Sequence, residues 1–344
     1  MFIQEDDLKL NKWQFSQRKF LPYEVKTKLA ETRIKEWYEN WNGQVYLSYS
    51  GGLDSTALLH MIRKTVGKTV PAVFSNTGLE FPEIVRFARK ASGEFQEIYP
   101  LRKDGNRATF KWVVETYGFP ITSKENAAKI RKLRHGNLCN RYRNYLLNGD
   151  ERGKFGVLAK KWHYLLDTKF DTSERCCDIM KKNPFAKYGK ETGRVPYVGT
   201  TQDEGLMRAR LYAHTGCNVY DGKTIKSQPL GPWNRQDVLR YIVENDVEIC
   251  SIYGDIRQSP SGLYYTTGEQ RTGCMFCAFG AHMEECPNRF QRMAKTHPKH
   301  WKICMNLENN GVRYQDALLQ CGIETETWEQ LGQISLDDYL KAIN

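Results

Sequence analysis

The run Val45-Tyr-Leu-Ser-Tyr-Ser50-Gly-Gly-Leu-Asp-Ser55-Thr-Ala-Leu-Leu-His-Met-Ile62 decides the fold. Val45–Ser50 reads as a short buried strand and Thr56–Lys64 as a helix. Between them, Gly51 and Gly52 let the backbone approach an anion without Cβ clashes. Their N–H groups, with those opening the helix, form an anion nest at a positive helix end. Ser50 and Ser55 add hydroxyls. No Gly-Lys-Ser/Thr closes the loop, so it is not a Walker A loop.

Outward from this run the pattern alternates. Val70–Ser75 reads as a strand, Glu83–Ala91 as a helix, Phe95–Tyr99 as a strand and Ala108–Tyr117 as a helix. Trp162–Leu166 and Val195–Gly199 read as two further strands. Such alternation predicts an α/β fold with a doubly wound, mostly parallel sheet, whose ligand binds at the carboxyl ends of the strands. Val25, Leu29, Trp37 and Trp41 predict an amphipathic helix ahead of it. After residue 233 the strand signals fade: Arg235–Glu244 reads as a helix and 287–344 as helical. The expected organisation is a helical extension (1–42), a nucleotide-binding α/β domain (43–233) and a small helical, cysteine-rich module (234–344).

The loop Ser50-Gly-Gly-Leu-Asp-Ser55 closely resembles the Ser-Gly-Gly-x-Asp-Ser motif of the PP-loop ATP pyrophosphatases. Phe74-Ser-Asn-Thr-Gly-Leu-Glu-Phe-Pro82, Val198-Gly-Thr-Thr-Gln-Asp-Glu-Gly-Leu-Met-Arg208 and Pro229-Leu-Gly-Pro-Trp233 with Asp237-Val238 are similar to segments of the phosphoadenylyl-sulfate reductase branch. The resemblance covers roughly residues 43–280. It implies a HUP-like fold and an adenine nucleotide held by Ser48, Ser50, Gly51, Gly52, Asp54, Ser55, Asn76, Thr77, Gly78, Gly199, Thr200 and Glu204. Gly205 replaces the serine usual in the third segment.

Ten cysteines need an explanation. Cys176-Cys177 followed by basic residues and Pro184, then Cys274-x-x-Cys277, resembles the pattern that holds a 4Fe-4S cluster in the adenylyl-sulfate-using members of the branch. The residues themselves leave structural zinc and packed free thiols open; His282 and Cys286 lie close enough in sequence to join a zinc site.

Two enzyme readings and one binding reading follow. In the first, ATP is cleaved between its α- and β-phosphates with magnesium, and an acceptor is adenylylated for sulfur transfer. Asp54 is then the magnesium or loop-organising carboxylate, with a helix cap as its plainer role, and Lys124 and Arg208 reach phosphate. In the second, adenylyl sulfate is reduced to sulfite, with a thioredoxin-like reductant. The resemblance implies a degenerate loop and a mobile cysteine near the C-terminus for that chemistry. Here the loop is intact, and Cys321-Gly322 follows an amphipathic helix that Gly322 ends. The third reading is a non-catalytic nucleotide-binding module.

Composition bounds the partners. Hydrophobic residues make up 40% and charged residues 26% of 344, the balance of a globular protein. No apolar run suits a membrane helix and no signal peptide is read, so a cytoplasmic location is expected. The net charge of +11 favours polyanionic partners. Basic residues of 124–154 (Lys129, Arg131, Lys132, Arg134, His135, Arg141, Arg143, Arg152, Lys154), interleaved with Tyr142 and Tyr145, read either as surface helices or as a grip for a nucleic-acid acceptor.

Overall fold

The computed structural model describes residues 17–151, 153, 156–202, 212, 215–222 and 224–326. In chain order its first elements are α1 (Tyr23–Asn40), β1 (Val45–Tyr49), α2 (Leu53–Val66), β2 (Ala72–Ser75), α3 (Pro82–Ala88) and β3 (Phe95–Ile98). Then come α4 (Phe110–Tyr117), β4 (Ile121–Thr122), α5 (Lys124–His135), α6 (Asn140–Asn148) and a 3₁₀ helix (Lys160–Leu166). A short α7 (Arg175–Cys177) runs through a π turn (Asp178–Lys182) into α8 (Asn183–Thr192). They are followed by β5 (Val195–Val198), β6 (Asn218–Val219), β7 (Lys226–Ser227), α9 (Arg235–Glu244), β8 (Ile256–Gln258) and β9 (Tyr264–Thr266). The last are β10 (Ala278–Phe279), α10 (Arg289–Thr296), α11 (Pro298–Met305), β11 (Glu308–Asn309), β12 (Val312–Arg313) and α12 (Tyr314–Gln320).

Contacts divide the chain into two compact units that interleave along it. One comprises residues 1–76, 80–99 and 183–272; the other comprises 77–79, 100–182 and 273–344. The first is built on a six-stranded sheet of order β3-β2-β1-β5-β7-β6. All its pairings are parallel except β6 with β7. Leu47 is flanked by Ala72 on one side and Tyr197 on the other. Strand β1 is therefore where the order reverses, and the crevice beyond its carboxyl end is the expected ligand position. Leu47, Phe74, Leu58, Met61, Trp37, Trp233 and Tyr241 form the core around it. Burial on both faces, nearly complete in β1 and β2, explains why those two strands read as near-continuous apolar runs.

Two expectations are corrected here. Trp162–Leu166 is no strand: Trp162 and Leu165 are buried while Tyr164 is exposed. That i, i+3 spacing belongs to a helix, whereas a strand would bury every second residue. In α1 the buried face is Lys26, Ala30, Ile34 and Trp37, and Val25 is exposed. Tertiary pairing moved that face: Lys26 Nζ lies 2.8 Å from Asp237 on α9. The stretch after residue 233 also holds the β8–β9 hairpin, and the helical C-terminal part is interrupted by the β11–β12 hairpin.

Candidate functional site

In the first unit, the chain leaves β1 and enters α2 through Ser50-Gly51-Gly52. Gly51 has φ +68°, and a Cβ there would meet Ile84 Cγ2 at 3.1 Å. A side chain at this position would be both strained and crowded. The Ser50 and Ser55 hydroxyls lie 2.9 Å apart, Ser55 Oγ donates to the Gly52 carbonyl at 3.0 Å, and the Gly52 N–H reaches Ser50 Oγ at 3.4 Å. The serines thus brace the loop from within. Gly52 is the residue before the helix and its first turn contains Asp54; the cap role considered for Asp54 falls instead to a glycine. A Cβ on Gly199 would lie 3.0 Å from the Ser55 Cα, so the loop after β5 touches the phosphate loop backbone to backbone. Beyond it, Thr200 Oγ1 accepts from Gln228 Nε2. Ser48 lies within β1.

Four residues near this loop were not foreseen. The Tyr253 hydroxyl and Thr272 Oγ1, 2.5 Å apart, face the Cβ position of Gly52 at 3.4 and 3.7 Å. Arg235 is half-buried; burial lowers its pKa, while the charge of Asp54 raises it and that of Arg271 opposes it. Tyr253, whose hydroxyl burial pushes up to about 12, also feels Asp54. Two guanidinium groups, a phenol and a hydroxyl therefore gather beside the loop. They come from chain 180 to 220 positions downstream, which is why no local motif announced them. At the end of β2, Asn76 Nδ2 donates to Glu97 at 2.6 Å. Arg89 grips the same carboxylate with two 2.8 Å bonds and Tyr99 adds a third donor.

The second unit holds the cysteines. Cys176, Cys177, Cys274 and Cys277 line one pocket of about 290 Å³, open solvent included, with Leu79, Phe110, Pro120, Met180 and Lys181. The π turn explains part of this: its wider spacing directs both Met180 and Lys181 to the side taken by the cysteine pair. Strand β10 pairs in parallel with β4. That pairing sets Cys277 beside Pro120–Thr122, and the Met275 N–H bonds the Leu79 carbonyl at 2.7 Å. Arg289, paired with Glu284, donates to the Cys277 carbonyl at 2.8 Å. Thr122, at φ +73°, turns the chain so that Ser123 caps α5 through the Asn126 N–H.

Lys124 is thus delivered to the thiols, its charge and hydrogen bond bearing on Cys177. The bond from Cys176, then Lys124 and Lys181, draws the Cys177 thiol below its ordinary value, against the effect of burial. Cys176 is pushed up by the same bond and by burial, and burial also raises Cys277. The donor set is four thiols, without carboxylate or imidazole among the lining residues. Soft thiolates beside two ammonium groups suit an iron–sulfur cluster or a thiolate-held metal. Among the described residues, no three His, Cys, Asp or Glu side chains stand in ready metal-ligand geometry. His282 instead packs edge-on against Trp162, and Cys286 donates to Gln291. Neither lines the pocket.

Thr77 and Gly78 belong to this second unit; Thr77 Oγ1 accepts from the Leu79 N–H at 3.1 Å. Glu204 and Arg208 lie outside the described residues. No helix among the described residues is long and apolar enough to cross a membrane.

A family model described as the phosphoadenosine phosphosulfate reductase domain matches residues 44–152 and 150–278. An uncharacterized protein of Methanocaldococcus jannaschii is 24% identical over 278 residues, 80% of this chain and 43% of the relative. The phosphoadenosine 5'-phosphosulfate reductase of Zymomonas mobilis is 36% identical over 58 residues, 17% of this chain and 23% of its own length. The chain spans less than half the length of these curated relatives. Among solved structures, the phosphoadenylyl-sulfate reductase of Candida auris in its phosphate complex aligns over 71% of this chain and 92% of its own. Its identity is 16% and its TM-score 0.37. The U34-tRNA thiolase of Methanococcus maripaludis, with its 4Fe-4S cluster, aligns over 66% of each chain at 11% identity and TM-score 0.34.

Proposed function

Because the chain belongs to the phosphoadenosine phosphosulfate reductase domain family, we propose that it is a nucleotide-activating enzyme that uses ATP to adenylylate an acceptor for sulfur transfer. The observation that carries this reading is the complete loop, with Gly51, Gly52 and the braced Ser50–Ser55 hydroxyls. Its backbone N–H groups suit the β- and γ-phosphates, which adenylyl sulfate lacks. Arg235, which feels the charges of Asp54 and Arg271, supports the same reading by supplying positive charge for a triphosphate. An acceptor oxygen attacks the α-phosphorus, the bond to the bridging oxygen breaks, and pyrophosphate leaves with the electron pair. A hydrosulfide-level nucleophile then displaces AMP from the acceptor. Asp54 is the candidate carboxylate for magnesium, which would offset charge on the phosphates.

Cys176, Cys177, Cys274 and Cys277 would hold a 4Fe-4S cluster. When bound, such a cluster supplies an electron-transfer or sulfur-binding centre. Lys124 and Lys181 lower the charge cost of gathering thiolates.

The rival reading, a reductase releasing sulfite, is favoured by the family's own description. It calls for a thiolate that can reach the substrate. Cys321 is buried, takes a hydrogen bond from the Tyr164 hydroxyl at 3.3 Å, and burial raises its pKa. These properties disfavour it as an attacking thiolate. Purified protein with α-labelled ATP and magnesium is expected to yield AMP and pyrophosphate. Sulfite release from adenylyl sulfate with a thiol donor, and no AMP from ATP, would transfer the assignment to the reductase. Tight nucleotide binding without either product would leave a binding module.

A further inference from the structure

The positive charge is concentrated. Residues 100–182 hold 19 Lys and Arg against nine Asp and Glu, so about a quarter of the chain carries nearly all of the net +11. Those on α5 after Lys124, on α6 and on the 3₁₀ helix fall into two groups. Lys129, Arg131 and Arg134 are engaged inward, on Glu125 and the Val157 carbonyl, on Glu174, and on Asp171 and the Phe170 carbonyl. They fasten α5 to the chain around the 3₁₀ helix. Lys132, Arg141, Arg143, Lys160 and Lys161 are exposed and have no carboxylate partner among the described residues. A cation already paired offers little to a phosphate, so only the second group is available.

Aromatic rings stand among the available cations. Tyr142 lies between Arg141 and Arg143, is 39% exposed, and stacks on Tyr145 with planes 16° apart. Lys161 lies over the Trp162 ring at 4.9 Å. Helix α6 buries only Leu146, whose carbonyl accepts from the Leu158 N–H. That bond joins α6 to the approach of the 3₁₀ helix, and most of α6 faces solvent. Unpaired cations around an exposed, braced ring suit a strand whose phosphates are accessible and whose bases are free to stack. An anionic membrane would meet the charges but leave the stacked tyrosines unused, and a duplex keeps its base faces covered.

We propose that the face formed by the end of α5, by α6 and by the 3₁₀ helix binds single-stranded nucleic acid. Lys132, Arg141, Arg143, Lys160 and Lys161 take the phosphates and Tyr142 stacks a base. Helix α5 runs from Lys124, beside Cys177, to this face, roughly 18 Å at 1.5 Å per residue. That the bound strand is also the acceptor rests on the reaction proposed above; the binding does not.

The test uses the full chain, without ATP, and fluorescein-labelled single-stranded RNA and DNA 20-mers in anisotropy titrations from 50 to 200 mM salt. Five phosphate contacts predict a log–log salt slope of roughly −3.5. The double variant Arg141→Glu, Arg143→Glu should weaken binding at least about tenfold and bring the slope to about −2. Tyr142→Ala should cost about tenfold with the slope unchanged. Lys160→Glu with Lys161→Glu repeats the charge test on the 3₁₀ helix, and Lys68→Glu, in the other unit, should change nothing. Circular dichroism melts identify variants that remain folded. Absence of binding at 50 mM salt would overturn the proposal. So would equal losses with Lys68→Glu, indifference of both charge-reversed variants, or preference for phosphatidylserine vesicles. Because no ATP is present, AMP formation succeeds or fails separately.

Discussion

Glu97, the last residue but one of β3, has Arg89, Asn76 and Tyr99 all donating to its carboxylate. The Arg89 bond, then those from Asn76 and Tyr99, hold its pKa down to about 2, from an ordinary value of 4.5. A carboxyl group whose pKa is lowered on folding adds stability above its unfolded value and loses that stability as pH falls through its folded one. Glu97→Gln is therefore expected to cost up to about 1 kcal/mol at pH 7, solvent screening included. The gap between wild type and variant should close between pH 5 and pH 2 in urea denaturation. A gap constant over that range would show that the ion pair is not its source. Asn76 was legible from its place after a predicted strand, but its bond to Glu97 was not, because the partner lies on the neighbouring strand. Lys124 makes the same point. Its segment suggested a phosphate ligand; a parallel pairing of two-residue strands, β4 with β10, brings it to the thiols.

Helix α9 was legible to the residue, from Arg235 to Glu244, and the structure closes its start with a reciprocal capping box of Asn234 and Asp237. What the local pattern did not carry is the second duty of Asp237. The carboxylate that caps α9 also holds Lys26 of α1, a buried ammonium, at 2.8 Å. Asp237→Ala removes a cap, worth about 1 kcal/mol, and strands a buried charge, worth about 3–5 kcal/mol. A loss of at least about 3 kcal/mol is expected in chemical denaturation, and Lys26→Met in the same chain should recover part of it. Without such recovery, the buried pair is not what is being lost. The misread strand at 162–166 belongs to this scale as well. A five-residue apolar run is too short for its periodicity to separate strand from 3₁₀ helix; the packing of Trp162 and Leu165 decided it.

Across the whole molecule, the phosphate loop and the four cysteines fall in different compact units, between which the chain passes five times. Each unit has its own internal contacts, so the two chemistries should be separable by mutation. Cys177→Ser is expected to lower iron content per chain after anaerobic purification and to leave ATP affinity within about twofold. Gly52→Ala, whose new Cβ would crowd Ser50 Oγ and the Tyr253 hydroxyl, should weaken ATP binding at least about tenfold and leave iron content unchanged. Stoichiometric zinc in place of iron would sink the cluster assignment. The sequence by itself determined the strand–loop–helix around Gly51 and Gly52, the parallel alternation that follows, and the cysteine pairs, because each is written in residues that are neighbours along the chain. Only the tertiary structure decided that Arg235, Arg271, Tyr253 and Thr272 flank the loop, that the distant cysteine pairs share a pocket with Lys124, and which cations are already paired. Most of those facts depend on contacts between segments from tens to about 220 residues apart, and such contacts are fixed by strand order and packing, which leave no local mark.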